Sequence, residues 1–293
     1  MDKTFQIVVD STSDLPVSLA QKRGLEIIPY FFTMGNKEYY NHLDNREMAP
    51  ADFYKALSEG QTASTTLVTA FRYTEAWEPF LKAGKDILYI CLSSALSKSY
   101  DQAVMAAEEM REAYPQRKVV VIDSKAASIG QGLLAHYASK AQEKGATIEE
   151  TVKKLDELVP RMQHWVMVDD LAYLKRGGRV SSAAAAVGAL LSIKPILTIT
   201  NDGSIVPVAK VKGKKNALLH ITDQLSKQLV NVKGQTIGIA HCAIPETARQ
   251  LEDMIIAKYG TCNCIITDIG PVIGAHTGPG ALTLVFVGNR RER

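Results

Sequence analysis

The chain has 293 residues, 46% of them hydrophobic and 22% charged, and its 34 basic and 31 acidic residues leave a net charge of only +3. This composition argues against a disordered or fibrous protein, and the balanced charge argues against nucleic-acid binding. A chain of this length is predicted to form two domains. We find no signal peptide in the first residues and no apolar run long enough to span a membrane, so we expect a cytoplasmic protein without stable membrane insertion.

The first half alternates short apolar runs with longer amphipathic stretches. The predicted strands are Phe5 to Val9, Leu25 to Phe32, Ile87 to Leu92 and Val119 to Ile122. Helical spacing of apolar residues is found at Phe53 and Leu57, from Phe71 to Leu81, from Ala103 to Met110 and from Leu133 to Tyr137. Strands and helices in alternation predict an α/β fold with buried parallel strands. A capping box at Thr147 and Glu150 opens another helix, which ends before Pro160. We therefore predict an N-terminal α/β domain over residues 1–161.

The second half has a different order of elements, which predicts a C-terminal α/β domain with a mixed sheet over residues 162–293. Its predicted strands are Trp165 to Val168, Ile196 to Thr200, Ile205 to Val211, Thr236 to Ala240, Cys264 to Thr267 and Leu282 to Val287. Its predicted helices are one ending near Gly177, a small-residue helix from Ser181 to Leu191, Ala217 to Val230 and Glu246 to Tyr259. The Asn201-Asp202-Gly203 turn predicts a hairpin.

The segment Gly270 to Gly280, GPVIGAHTGPG, places His276 and Thr277 among four glycines and two prolines. Glycine permits unusual backbone angles and proline stiffens the chain, so we predict a rigid loop that holds both polar side chains. Taken alone, the segment fits a tight connection between two strands as well as a binding site. Its interpretation depends on other residues.

Three predicted strands of the first domain end in hydroxyl-rich turns. The turns begin at Asp10, Ser93 and Asp123, and a further polar run, TASTT, covers Thr62 to Thr66. Serine and threonine are common helix caps, but the carboxyl ends of parallel strands also line a ligand crevice. The pattern therefore indicates a hydroxyl-lined pocket for an anion.

The second domain adds LAYLKRGGRVSS, Leu171 to Ser182, in which basic residues surround Gly177 and Gly178. The polar candidates are hydroxyls, a histidine and arginine, which can all donate hydrogen bonds. No nucleophile elbow, phosphate-binding loop or metalloprotease motif occurs, and the cysteine spacing does not match a zinc site. The sequence therefore favours binding over catalysis, with no catalytic residue and no metal.

Five motifs in order resemble those of the DegV family, bacterial fatty-acid-binding proteins that supply acyl chains to a fatty acid kinase. The motifs are VVDSTSDLP (Val8 to Pro16), SSALSKSY (Ser93 to Tyr100), VIDSKAASIGQG (Val121 to Gly132), LAYLKRGGRVSS followed by IKPIL (Ile193 to Leu197), and GPVIGAHTGPGAL (Gly270 to Leu282). The resemblance runs nearly end to end. It implies two α/β domains with a fatty acid between them, its carboxylate held by hydroxyls and its tail buried.

The resemblance also implies site residues. The candidates for binding the carboxylate are Thr62, Ser64, Thr65, Ser93, Ser94, His276 and Thr277. TASTT departs from the TSQPS of the family, so the choice among Thr62, Ser64 and Thr65 is open. Arg179, from the GGR motif, is expected near the head group, where it helps the kinase to engage the acyl group. Lys212 stands where many members have arginine, and lysine cannot bind in a forked geometry, which leaves its part in kinase docking open.

The function implied is the binding of a long-chain fatty acid such as palmitate, without another cofactor, for presentation to the catalytic subunit of a fatty acid kinase and so for phospholipid metabolism. Two alternatives are a phosphotransfer or hydrolytic enzyme, suggested by Asp10, Asp123 and Ser124, and a sugar or small-anion sensor. Acyl length, degree of unsaturation and oligomeric state are not evident from the sequence.

Overall fold

The computed structural model describes residues 4–181, 192–228 and 231–291, in which strands and helices alternate. The strands are β1 (Phe5–Asp10), β2 (Glu26–Ile28), β3 (Tyr30–Met34), β4 (Lys37–Asn41), β5 (Ala63–Thr66), β6 (Asp86–Cys91), β7 (Val119–Asp123), β8 (Met162–Met167), β9 (Ile193–Ile199), β10 (Ile205–Lys212), β11 (Thr236–His241), β12 (Asn263–Asp268) and β13 (Leu282–Val287). The helices are α1 (Val17–Arg23), α2 (Pro50–Ser58), α3 (Ala70–Lys82), α4 (Ser99–Ala113), α5 (Ile129–Glu143), α6 (Ile148–Leu158), α7 (Ala172–Arg176), α8 (Lys214–Lys227), α9 (Pro245–Tyr259) and α10 (Pro271–Thr277).

The N-terminal half is built on a parallel sheet in the order β2-β1-β6-β7. All six residues of β1 are buried, as expected for a strand covered on both faces. The capping box that opens α6 is present, with Glu150 N donating to Thr147 Oγ1 and Thr147 N donating to Glu150 Oε2. The prediction of a parallel-sheet N-terminal domain is confirmed.

The run from Leu25 to Phe32 forms two strands rather than the single strand that we predicted. Pro29 separates β2, in the parallel sheet, from β3, which pairs in antiparallel fashion with β4 and β5 in a small second sheet. Proline has no amide hydrogen to donate and interrupts a ladder of hydrogen bonds. The small sheet was not predicted because β4 and β5 are polar and carry little apolar alternation.

The C-terminal half contains a six-stranded mixed sheet in the order β10-β9-β8-β13-β11-β12, as predicted. Only β11 and β12 are parallel to each other in this sheet, and β9 and β10 form the predicted hairpin. Helices α8 and α9 pack on one face through a separate apolar cluster. The other face contributes Val166, Leu197 and Val285 to the same core as α5, so the two halves share one apolar interior. The domain boundary after residue 161 stays a prediction.

The glycine-rich segment 270–280 is largely helical, and the prediction of a loop is wrong. Pro271 to Thr277 form α10, and Gly278 ends the helix with a φ of 75°. Proline is favoured at the first helical position and glycine just after the last, so these residues bound a helix here. His276 and Thr277 therefore project from the last turn of a short helix.

Two sequence predictions fall on residues outside the described ranges. The predicted small-residue helix Ser181 to Leu191 lies there except for Ser181, and the predicted helix Ala217 to Val230 is described only to residue 228. Within the described residues, no helix is both long and apolar enough to cross a membrane.

Candidate functional site

A cavity of about 250 Å³ lies between the two halves of the chain. A single buried water needs only about 10–15 Å³, so this space is too large to be a packing defect. Its apolar walls are formed by Leu67, Leu92, Leu96, Val166, Leu174, Ile199, Ile205, Ile269, Val272 and Ile273. These walls are therefore suited to a hydrocarbon group.

The strand ends position this cavity. From the N-terminal half, β3, β5 and the segments after β6 and β7 contribute lining residues, and from the C-terminal half β8, β9, β10, β13 and α10 do so. Two of the hydroxyl-rich turns predicted from the sequence thus border the cavity, but they do so through residues further along the chain, such as Ser97 and Ser128. The expectation that the carboxyl ends of parallel strands line a crevice therefore predicted the region of the cavity, but it did not predict which side chains line it.

Two cationic residues of the described ranges line the cavity, Lys98, which pairs with Asp101 at 3.3 Å, and Arg179. Its guanidinium donates from Nε to the carbonyl oxygen of Leu96 at 3.0 Å and also to that of Gly177. No acidic side chain of the described residues forms an ion pair with it. Burial lowers the pKa of Arg179, because the charged form loses solvation. A half-buried cation without an anionic partner can accept an anionic group such as a carboxylate or a phosphate.

His276 and Thr65 meet beside Arg179. His276 Nε2 and Thr65 Oγ1 are 2.9 Å apart, although the two residues are 211 positions apart in the chain. Burial, and to a smaller extent the charge of Arg179, lowers the pKa of His276 to about 4. The imidazole is therefore neutral at pH 7, and Nδ1 has no hydrogen-bond partner among the described residues.

Gly177 allows this arrangement. A Cβ atom at residue 177 would lie 2.1 Å from His276 Nδ1, a separation that no side chain can adopt. The first glycine of the GGR motif thus lets α7 and α10 approach each other. Glycine is needed here for space, since the φ of this residue is an ordinary −75°.

Four of the residues predicted from the sequence come together at the cavity: Thr65, Arg179, His276 and Thr277. Thr277 is 8% exposed, and its hydroxyl donates to the carbonyl oxygen of Ile273 at 3.2 Å. That hydroxyl also lies 3.4 Å from Cys242 Sγ. Thr277 therefore supports the end of α10 and shapes the wall.

Five predicted residues do not line the cavity. Thr62 precedes β5 and is exposed, and Ser64 points to the outer face of the small sheet, where its hydroxyl lies 2.6 Å from Thr33 Oγ1. Lys212 is exposed at the end of β10. Alternation along β5 turns Thr65 toward His276, so Thr65 is the one of the three candidates that lines the cavity.

Ser93 and Ser94 are engaged elsewhere. Ser93 is buried, and its hydroxyl donates to the carbonyl oxygen of Gly203 at 2.9 Å, which ties the β9-β10 turn to the N-terminal half. Ser94 Oγ accepts from Lys125 Nζ at 3.2 Å, and its amide donates to Asp123 Oδ1 at 3.1 Å. The SSALSKSY motif reaches the cavity through Leu96 and Ser97 instead.

Several polar lining residues were missed by the sequence analysis: Tyr30, Thr66, Ser97, Lys98, Ser128, His164 and Thr283. Ser97 lies within a recognised motif, which could have indicated it. Tyr30 lies inside a predicted apolar strand and His164 directly before another, and neither carries a local signal. Burial lowers the pKa of His164 to about 3, so this histidine is also neutral at pH 7.

The groups that suggested an enzyme are used structurally. The carboxylate of Asp10 is fully buried and accepts hydrogen bonds from Thr12, Tyr89 and Gln131. Asp123 pairs with Lys125 at 2.8 Å, and neither aspartate lines the cavity. Among the residues described, no group of histidine, cysteine and acidic side chains could hold a metal ion.

Comparison with known proteins is consistent with this geometry. A DegV domain-containing protein of Clostridium perfringens is 41% identical over 290 residues, which are 99% of each chain. The solved structure of DegV from Bacillus subtilis, described as a fatty acid binding protein, has 27% identity and a TM-score of 0.86, and the match covers 98% of this chain and 100% of that one.

A third comparison shows the fold alone. The fatty acid kinase B3 protein of Streptococcus pneumoniae, solved with linoleic acid, has a TM-score of 0.86 at 18% identity, with 98% of this chain and 100% of that one covered. The family profile described as "Uncharacterised protein, DegV family" matches residues 4–289. With this match and the relative at 41% identity, the chain belongs to the DegV family.

Proposed function

We propose that this protein binds a long-chain fatty acid in the cavity between its two halves, in the cytoplasm. The carboxylate lies at the end formed by Arg179, His276 and Thr65, and the tail lies against the aliphatic walls. The fatty acid binding stated for the Bacillus subtilis relative supports this assignment. The protein acts as a binding protein and not as an enzyme, in keeping with the structural use of Asp10 and Asp123.

The observation that carries the proposal is the guanidinium of Arg179, which has no acidic partner among the described residues and lies in a cavity with large aliphatic walls. Burying an unpaired charge is costly, and an incoming carboxylate would offset that cost. Arginine can bind a carboxylate through two parallel N–H groups. The neutral His276 and Thr65 share one hydrogen bond, so together they leave one further donor that carries no charge. Arg179, His276 and Thr65 together are therefore suited to bind a single anionic group.

The hydrocarbon tail supplies most of the affinity. Burial of each CH₂ contributes about 0.8 kcal/mol, so the fourteen methylenes of palmitate contribute about 11 kcal/mol before the cost of ordering the chain. One charge-assisted hydrogen bond contributes about 1.5–3 kcal/mol. The head group therefore sets the direction of the ligand, while the aliphatic wall sets the affinity.

The first prediction concerns the purified protein. Organic extraction followed by mass spectrometry is expected to release a long-chain fatty acid, close to one per chain. After delipidation, palmitate at one hundred times its Kd is expected to stabilise the fold by about 2.7 kcal/mol, seen as a rise in Tm. An extract without fatty acid, together with a Tm that palmitate does not change, would reject the proposal. Stabilisation by phosphate or sulfate instead would favour the small-anion alternative.

We further propose that the bound fatty acid is presented to the catalytic subunit of a fatty acid kinase for acyl-phosphate formation. The shared fold with the pneumococcal kinase B3 protein supports this step. Arg179 can contact the head group directly. Lys212, which is exposed and outside the cavity, can act only on the partner.

The variant Lys212→Ala separates docking from binding. Loss of a charge at the rim of an interface slows association, so the rate of acyl-phosphate formation at subsaturating kinase is expected to fall by about threefold or more, with a weaker salt dependence. The affinity for palmitate should not change. Lys227→Ala, at an exposed lysine of α8, is the matched control. A rate equal to that of the control would remove Lys212 from the docking surface.

A further inference from the structure

Two cysteines at the edge of the six-stranded sheet lie against each other and take no part in the fatty-acid site. Cys262 directly precedes β12, and Cys264 is the second residue of that strand, paired with Ile237 of β11. β12 is the last strand in the order of this sheet, so the pair lies at an edge. Neither cysteine lines the cavity. The chemistry of the pair is therefore independent of the proposed function.

The sulfur atoms of Cys262 and Cys264 are 2.9 Å apart, which is closer than ordinary van der Waals contact. Both cysteines are free thiols. Asn263, between them, donates from Nδ2 to Thr236 Oγ1 at 2.9 Å, so its side chain is held on β11 and does not separate the two sulfurs. A disulfide bond brings its sulfurs to about 2.0 Å, so bond formation here needs a shift of only about 1 Å.

Solvent reaches this pair and does not reach the other two cysteines of the chain. Cys262 and Cys264 are each partly exposed, whereas Cys91 and Cys242 are fully buried. Access to a small oxidant helps to decide which thiols of a folded protein react. We therefore expect oxidation to be confined to Cys262 and Cys264, with the two buried thiols as internal controls.

The distance between the sulfurs disfavours a shared metal ion. Two thiolates bound to one tetrahedral zinc ion, each at about 2.3 Å, lie about 3.8 Å apart. The 2.9 Å found between Cys262 and Cys264 is well below that separation. A structural zinc site also needs four ligands, and the described part of the chain contains no group of three or more histidine, cysteine or acidic side chains suited to a metal. The geometry therefore favours a bond between the two sulfurs.

We propose that Cys262 and Cys264 form a reversible dithiol–disulfide pair that is oxidised by a peroxide such as hydrogen peroxide. The Cys262 thiolate attacks one peroxide oxygen, the O–O bond breaks, and Cys262 becomes a sulfenic acid while the other oxygen leaves as water. The Cys264 sulfur then attacks the Cys262 sulfur, the S–O bond breaks, and the second oxygen leaves as water with the proton of Cys264. The two thiols lose two electrons, and one peroxide is reduced to two waters.

The two cysteines have different parts in this reaction. Burial, and then the neighbouring Cys262 and Glu252, raise the pKa of the Cys264 thiol well above its usual value. Cys264 therefore stays protonated in the resting protein, and the thiolate that attacks the peroxide is that of Cys262. Once Cys262 is a neutral sulfenic acid, its charge no longer opposes the ionisation of Cys264, which then resolves the sulfenic acid.

The disulfide is expected to be easily reduced. It closes across a single residue, Asn263, and strained or exposed disulfides have more oxidising potentials than structural ones. A thiol such as glutathione should therefore restore the pair. In a reducing compartment the thiols are free at rest and bond only while an oxidant is present.

The test is peroxide treatment of the reduced full-length protein, followed by alkylation in denaturant, trypsin digestion and mass spectrometry. Cys262 and Cys264 lie on one tryptic peptide, residues 259–290, which contains no other cysteine. We expect this peptide to become two hydrogen masses lighter and to take no alkyl group. When glutathione is added before alkylation, it should take two alkyl groups. The peptides of Cys91 and Cys242 should be alkylated in every sample.

The variant Cys264→Ser keeps Cys262 and removes the resolving thiol. Its Cys262 should be oxidised further, to a sulfinic acid that glutathione does not reverse. Wild-type peptide 259–290 that still takes two alkyl groups after peroxide would overturn the inference, and so would disulfides that join two chains on a non-reducing gel. A zinc ion retained by the wild type in native mass spectra and lost from Cys264→Ser would assign the pair to a metal instead.

Discussion

Replacing Arg179 by leucine is expected to weaken palmitate binding by about 10- to 150-fold, which corresponds to the loss of a hydrogen-bonded charge worth about 1.5–3 kcal/mol. Arg179 is the cation of the cavity that lacks an acidic partner among the described residues, so its removal leaves the carboxylate facing a largely neutral end. His276, with its pKa lowered to about 4, does not replace that charge at pH 7. Titration of delipidated protein with palmitate measures the effect.

Two variants make this result specific. Arg179→Lys keeps the charge but loses the forked geometry, so its affinity should lie between those of the wild type and Arg179→Leu. Arg176→Leu is the matched control, because Arg176 lies on the same segment, packs over the ring of Tyr173 and does not line the cavity. A wild-type affinity in Arg179→Leu, with the variant shown to be folded by circular dichroism, would place the carboxylate elsewhere.

The elements predicted best from the sequence are those defined by local chemistry. The capping box at Thr147 and the hairpin turn at Asn201 to Gly203 depend on residues only a few positions apart, and both are present. The segment 270–280 shows the opposite case. Its glycines and prolines have the composition of a loop, but Pro271 starts a helix and Gly278 ends it. The composition drew attention to Pro271 and Gly278, but it did not show that they stand at the start and just after the end of a helix.

The site could be predicted only in part, because it is assembled from distant segments. Nothing in the spacing of Thr65, Arg179 and His276 shows that they meet, and only the resemblance to a family placed them together. The same resemblance pointed to Ser94, whereas Ser97 of the same motif lines the cavity. Which residue of a turn faces inward depends on backbone direction, which a motif does not contain.

The second large effect on palmitate affinity is expected for a substitution in the wall that contacts the hydrocarbon tail. Ile205→Trp places a large side chain in the aliphatic wall formed by β9 and β10, where Ile205 pairs with Ile199 and both line the cavity. Displacing two to three methylenes of the ligand costs about 2 kcal/mol at about 0.8 kcal/mol per CH₂, which is roughly a 30-fold loss of palmitate affinity. Ile205 is only partly buried, so the larger side chain should not prevent folding.

A series of saturated acids of increasing length shows whether the loss arises in the tail. Wild-type affinity should rise about fourfold for each added CH₂, since about 0.8 kcal/mol of burial is gained at each step. In Ile205→Trp the rise should stop at a shorter chain, with the affinity for short acids unchanged. Val206→Trp is the control, because Val206 is the next residue of β10, pairs with Thr198 and does not line the cavity. Equal curves for the two variants would show that the wall of β10 does not contact the acyl chain, and the proposed path of the tail would have to be abandoned.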